Sequence, residues 1–108
     1  MLAYVALGSN NTEKALEFYD AVLAEMGAKR FFDNERLYFY GTAPGQPMLA
    51  IGGPYDEASA TCGNGVMPAI GVADNETVDR VYAKAIGLGQ CAGVSRHIAD
   101  FCDRLGAI

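Results

Sequence analysis

The sequence is poor in the residues that usually announce a chemistry. It holds one histidine, His97, and its three cysteines, Cys62, Cys91 and Cys102, are odd in number and never closely spaced. Neither a disulfide framework nor a zinc knuckle is indicated, and three reduced thiols that serve in packing are the plain reading. The eight Lys and Arg are scattered singly among thirteen acidic residues, for a net charge of −5. That distribution lacks the basic patch a nucleic-acid partner requires. No apolar run approaches a membrane span, and Met1 to Gly8 has neither the basic start nor the apolar length of a signal peptide. The sequence therefore predicts a cytoplasmic protein that engages neither nucleic acid nor membrane. Gly63-Asn64-Gly65 is followed by no Lys, Ser or Thr in P-loop register, which removes nucleotide binding.

What the chain does have is apolar substance. Of its 108 residues 51% are apolar and 19% charged, which predicts one ordered globular domain with enough material for a core. It also nearly repeats itself at an offset of 63 residues. Tyr4-Val5-Ala6-Leu7-Gly8 returns in kind as Met67-Pro68-Ala69-Ile70-Gly71, and the pairs Ala6/Ala69, Gly8/Gly71, Glu13/Glu76 and Tyr19/Tyr82 are identical. Unrelated segments seldom share a strand, a cap and a helix stripe in register, so the chain reads as a duplicated module.

Leu2 to Gly8 is β-compatible, and Ser9-Asn10-Asn11 offers caps, Asn10 and Glu13 having the spacing of a capping box, for a helix from Thr12 to Met26. Leu16, Tyr19, Leu23 and Met26 form its stripe, and Gly27 is placed to end it. Ala28 to Phe32 and Leu37 to Tyr40 read as a hairpin around Asp33-Asn34-Glu35, and Met48 to Ile51 as a further strand. Residues 1–52 are thus a βαβββ module, and the glycine-rich stretch 53–65 is a linker or cleft loop. A partial second module occupies 66–94, with a strand near Val66 to Val72, a cap at Asp74 or Asn75 and a helix whose stripe includes Val78, Val81, Tyr82 and Ile86. In place of further strands, residues 95–108 read as a helical tail capped by Ser95, with Ile98, Phe101, Cys102 and Leu105 on one face.

This doubled module resembles the vicinal oxygen chelate superfamily, which includes glyoxalase I, bleomycin-resistance proteins and extradiol dioxygenases, and above all its small glyoxalase-like members. Three stretches carry the resemblance: Tyr4 to Tyr19 running into Phe18-Tyr19-Asp20, Leu49-Ala50-Ile51-Gly52-Gly53-Pro54-Tyr55-Asp56, and Gly63-Asn64-Gly65. It covers roughly Leu2 to Gly93. It implies an α+β fold in which paired βαβββ modules form a curved mixed sheet, here with the second module incomplete and a helical C-terminal tail. It also implies a cup that in catalytic members holds a divalent metal, bound from the first strand of each module and the last strand of the second. At those positions this chain has Tyr4 and Met67, and the strand for the third ligand is not visible. A phenol must lose a proton with a pKa near 10 and a thioether is soft, so neither suits a hard metal.

The resulting expectation is a glyoxalase-like protein that binds a small organic molecule, without a metal, cofactor or catalytic residue. Its cavity would be lined by Tyr4, Tyr38, Tyr40, Met48, Ala50 and Met67. Unpaired sheet edges in the short second module predict a homodimer. His97 falls on the polar side of the tail helix beside Arg96 and is assigned no role. Two alternatives remain open at this point. One is a divalent-metal lyase, isomerase or dioxygenase of the same superfamily, and the other is an inactive relic with an altered C-terminus.

Overall fold

A computed structural model describes residues 1–61, 65–66 and 68–88 of the chain. Met67, the three cysteines, His97, the last residues of the partial second module and the helix expected over 95–108 lie outside the described residues. The described residues form β1 (Tyr4–Gly8), α1 (Thr12–Ala24), β2 (Lys29–Asp33), β3 (Leu37–Gly41), β4 (Met48–Gly52) and α2 (Asn75–Gly87). The chain is α+β, and it divides into two compact units, Met1–Val66 and Met67–Ile108.

In the first unit the four strands form one mixed sheet of order β1-β4-β3-β2, with β1 parallel to β4 and the other pairs antiparallel. The register Tyr4↔Met48, Ala6↔Ala50 and Phe39↔Ala50 puts these side chains on one face. Val5, Leu7, Leu49, Ile51, Tyr38 and Tyr40 take the other, which α1 covers. Beneath the helix, Val22, Leu23, Tyr40 and Ile51 are buried. Each such side chain contributes about 1.5–3 kcal/mol of burial, so this layer holds the helix to the sheet.

The ends of α1 show how local and distant constraints combine. Gly27 takes φ 82°, and the bonds Gly27 N–H to the Ala24 carbonyl and Ala28 N–H to the Leu23 carbonyl close the last turn, as a C′ glycine does. At the other end the structure selects among the three cap candidates, and the capping box read from Asn10 is corrected. Asn11, not Asn10, caps the helix, its side chain accepting from the Lys14 N–H at 3.2 Å. Asn10 is engaged elsewhere. Its amide donates to the Ala60 carbonyl at 3.0 Å and its oxygen accepts the Ala60 N–H at 2.6 Å. This two-way pairing fixes the loop that follows β4.

The β2–β3 hairpin turns on Asn34, whose Oδ1 accepts the Leu37 N–H at 2.8 Å while its own N–H donates to the Leu37 carbonyl at 3.0 Å. Glu35 sits between them at φ 74°, a left-handed conformation that a Cβ disfavours by about 1–2 kcal/mol. Part of the relief that glycine would bring is lost to its greater freedom in the unfolded chain. Glu35→Gly is therefore expected to stabilise the protein by about 0.5 kcal/mol, read as a higher urea midpoint with an unchanged slope. A lower midpoint would show that the Glu35 side chain makes a contribution larger than its backbone penalty.

In the second unit Asp74 caps α2, its Oδ1 accepting from the Thr77 N–H at 2.8 Å and the Thr77 hydroxyl at 2.7 Å. These bonds, the hydroxyl's first, hold its carboxyl below the usual carboxylate range. Thr77, Val78 and Val81 are buried, as the helical stripe requires. The strand expected over 66–72 is corrected, since among its described residues only Gly71 makes a ladder contact, as a single bridge. Pro68 has no N–H to give a ladder, and Gly65 enters the segment at φ 84°.

Candidate functional site

The sheet face opposite α1 carries an aromatic patch. Tyr4 and Phe39 meet edge to face, with ring centroids 5.1 Å apart and planes at 84°. Phe32 stacks on the other side of Phe39, at 4.6 Å and 20°. Both are favoured arrangements of the ring quadrupoles. Phe39 is buried at the centre of the patch, in a cluster with Leu37, Ala50 and Met48, whereas Tyr4 and Phe32 remain 46% and 51% exposed.

A β-bulge makes the patch larger than simple alternation allows. The register of β2 on β3 shifts between Arg30 and Phe32. Without it, Phe31 and Phe32 would point to opposite faces. With it, Phe32 pairs with Phe39, and the Phe31 ring also lies on this face. A Cβ on Gly41 would stand 2.9 Å from Phe31 Cε2 and 3.3 Å from Met48 Cγ. Gly41 thus leaves the space that Phe31 fills. The two phenyl rings, with Leu2, Pro44, Gln46 and Met48, line an open groove of about 450 Å³ at one end of the face.

Of the expected lining residues, Tyr4, Met48 and Ala50 share the aromatic face. Two others are corrected. Tyr38 and Tyr40 lie on the opposite face, because β3 pairs them with Ile51 and Leu49. Tyr40 is buried against α1, donating from Oη to Asp20 Oδ1 at 2.6 Å, and Tyr38 lies beside the Arg30 guanidinium at 5.8 Å. Met67 lies outside the described residues. Phe31, Phe32, Phe39 and Leu2 supply the surface that Tyr38 and Tyr40 were expected to give.

A second, polar cleft of about 560 Å³ lies at the other end of the sheet, between the β2–β3 turn and the loop after β4. Its cation, Arg36, donates from Nη1 to the Gly53 carbonyl at 2.9 Å and covers the Tyr55 ring at 5.4 Å. Glu35 and Glu57 flank it. Arg36 here ties the loop after β4 to the hairpin.

A solved structure of a glyoxalase/bleomycin resistance protein from Albidiferax ferrireducens T118 superposes on this chain with a TM-score of 0.74 and 31% identity, over 82% of this chain and 70% of that one. This chain belongs to the glyoxalase/bleomycin resistance family. The vicinal oxygen chelate fold that the sequence resembles is thereby shown. A putative glyoxalase from Bacillus halodurans shares the fold, with a TM-score of 0.60 and 22% identity over 82% of this chain and 69% of that one. No family profile and no curated protein matches the chain.

Catalytic members of the superfamily hold a divalent metal between their two modules, and the described residues allow the donors of one side, the face of the first unit, to be compared with what such an ion needs. The face offers a phenol, a thioether, phenyl rings and methyl groups, with one carboxamide, Gln46, in the groove. A single carboxamide is too few for a hard cation, which takes several carboxylate, carbonyl or imidazole donors. Among the described residues no group of three or more His, Cys, Asp or Glu converges. Nor, among them, is any helix long and apolar enough to cross a membrane.

Proposed function

We propose that this glyoxalase-like protein binds a small, largely apolar organic molecule on the aromatic face of its first unit, by stacking and burial and without a metal ion, and that it does so as a homodimer. The observation that carries the reading is the exposed pair Tyr4 and Phe32 flanking buried Phe39, beside a groove whose side chains are nearly all apolar. Contiguous exposed aromatic surface is unusual on a chain that does not use it. The groove's volume is within the range of small-molecule sites. Gln46 is the polar side chain available to orient a ligand there. A metal-dependent lyase, isomerase or dioxygenase would need donors that this face does not present.

2-Naphthol is a suitable probe, being planar, apolar and furnished with one hydroxyl. It is expected to shift the amide resonances of Leu2, Phe32, Phe39 and Met48 and to raise the unfolding temperature. Phe32→Ala removes a ring worth about 0.5–1.5 kcal/mol of aromatic contact, and so should weaken binding by up to about tenfold. Unmoved resonances at millimolar probe, or equal affinity in the variant, would remove this reading. Dialysis against manganese and zinc followed by metal analysis is expected to find no stoichiometric ion; one ion per chain would favour the enzyme instead.

A further inference from the structure

Among the described residues only two that are not glycine hold a positive φ, Glu35 at 74° and Glu57 at 63°. Both line the polar cleft between the β2–β3 turn and the loop after β4, and every residue lining that cleft belongs to the first unit. Outside glycine, left-handed backbone is taken mostly by Asn and Asp, whose short side chains bond to the chain nearby. Glutamate makes no such bond here. Among the described residues nothing donates to either carboxylate, and at Glu35 glycine is expected to be the more stable choice. Strained residues of this kind gather at ligand sites, where the side chain is what the position requires.

Arg36 stands in the same cleft with donors unused. Its Nη1 donates to the Gly53 carbonyl at 2.9 Å and the Tyr55 ring lies against the guanidinium at 5.4 Å, but among the described residues nothing accepts from Nε or Nη2. Arg30 shows what that fork takes, since its Nε and Nη2 hold the two oxygens of Asp20 at 3.0 and 2.6 Å. Glu35 adjoins Arg36 in the chain and Glu57 lines the same cleft, yet neither forms an ion pair with it. An open carboxylate fork and two open carboxylates therefore share one cavity of about 560 Å³, the size of a small-molecule site.

We propose that this cleft binds a basic α-amino acid, its carboxylate on Nε and Nη2 of Arg36 and its two ammonium groups on Glu35 and Glu57. The charges decide the class. One guanidinium against two carboxylates leaves the cleft negative, on a chain whose net charge is −5, so a plain carboxylic acid is repelled and a neutral amino acid leaves one glutamate unpaired. A diamine would satisfy the glutamates and leave the fork empty. A molecule with one carboxylate and two ammonium groups matches all three, and the bidentate fork fixes its direction. The Nδ2 group of Asn34, whose Oδ1 already receives the Arg36 and Leu37 N–H groups, is a further donor for the same carboxylate. The cleft lies at the far end of the sheet from the apolar groove, so this ligand and the apolar one are independent.

L-Lysine titrated into the full chain is expected to shift the amide resonances of Asn34, Glu35, Arg36, Glu57 and Ser59 and to leave those of Leu2, Phe32 and Met48 in place. The cleft is open to water and each ion pair contributes modestly, so Glu35→Gln or Glu57→Gln should weaken binding by about three- to fivefold. Added salt should weaken it further. Arg36→Lys keeps a cation and a donor for the Gly53 carbonyl but loses the fork, and should abolish the preference for L-lysine over cadaverine, a diamine without the carboxylate. Glu35→Gly separates binding from stability: it is expected to raise the urea midpoint and to weaken L-lysine binding together, which a damaged fold would not do. Unmoved cleft resonances at millimolar L-lysine would overturn the site. Cadaverine bound by the parent chain as tightly as L-lysine, or unchanged affinity in both glutamine variants, would overturn the assignment to a basic amino acid.

Discussion

Gly52→Ala is expected to destabilise the first unit by about 3 kcal/mol, at the upper end of overpacking effects. Gly52 is where β4 pairs with Leu37 of β3 and Gly8 of β1 at once. A Cβ there would overlap the Arg36 carbonyl and stand 3.1 Å from Leu37 Cα. Both obstacles are backbone. They are held by the Asn34 bonds of the hairpin and by the reach of Arg36 Nη1 to the Gly53 carbonyl, so neither can rotate away as a side chain would. Relief would require β3 to slip along β4, and a one-residue slip would exchange the aromatic face for the helix face. For a domain of this size the loss corresponds to about 12–24 °C in unfolding temperature. Gly53→Ala is the matched control: the space beside it is open, and its effect should be within about 0.5 kcal/mol. Equal melting temperatures for the two variants would show that the close approach at Gly52 is not as tight as its geometry.

The elements of the first unit were legible in the sequence because each signal was local. Alternation in Tyr4–Gly8, the three-four stripe of α1, the Asp33-Asn34 turn and the C′ glycine all depend on neighbours within one turn or one strand. What could not be read was decided at a distance. Asn10 and Asn11 are chemically identical candidates for the cap, and the backbone of Ala60, fifty residues away, selects between them. Tyr38-Phe39-Tyr40 is aromatic at every position, so it has no alternation from which to read a face. Its phase is set by Asp20, which gives the Tyr40 hydroxyl an acceptor on the helix side, and by Ala50, which leaves room for Phe39 on the other. Phe31-Phe32 misleads in the same way, since the bulge that brings both rings to one face has no signature in the residues themselves. Tyr4 could be placed from sequence because Val5 and Leu7 are unmistakably the apolar partners that β1 offers to α1.

Asp20→Ala is expected to destabilise the protein by about 2 kcal/mol, and more than the loss of either of its partners. Asp20 receives Arg30 as a bidentate pair, from Nε at 3.0 Å and Nη2 at 2.6 Å, and the Tyr40 hydroxyl at 2.6 Å. The Arg30 pair is 42% exposed on both sides, and exposed pairs contribute about 0–1 kcal/mol. Tyr40 is 1% exposed, so its bond to a charged acceptor is the larger part; without Asp20 the hydroxyl keeps only a long contact to the Leu16 carbonyl at 3.5 Å. Arg30→Ala should therefore be the mildest of the three and Tyr40→Phe intermediate. Burial first, then the bond to Asp20, push the Tyr40 hydroxyl well above its ordinary value of 10.0, and burial raises Tyr19 as well. Above pH 10 the unfolded chain loses these protons and the folded chain keeps them. The stability they confer is complete below that pH and declines as pH rises toward the raised folded values, by at most about 1.4 kcal/mol per pH unit for each tyrosine. Urea midpoints between pH 9 and pH 12 should fall more gently in Tyr40→Phe than in the parent. Parallel declines would place the alkaline sensitivity elsewhere and remove Tyr40 as its source.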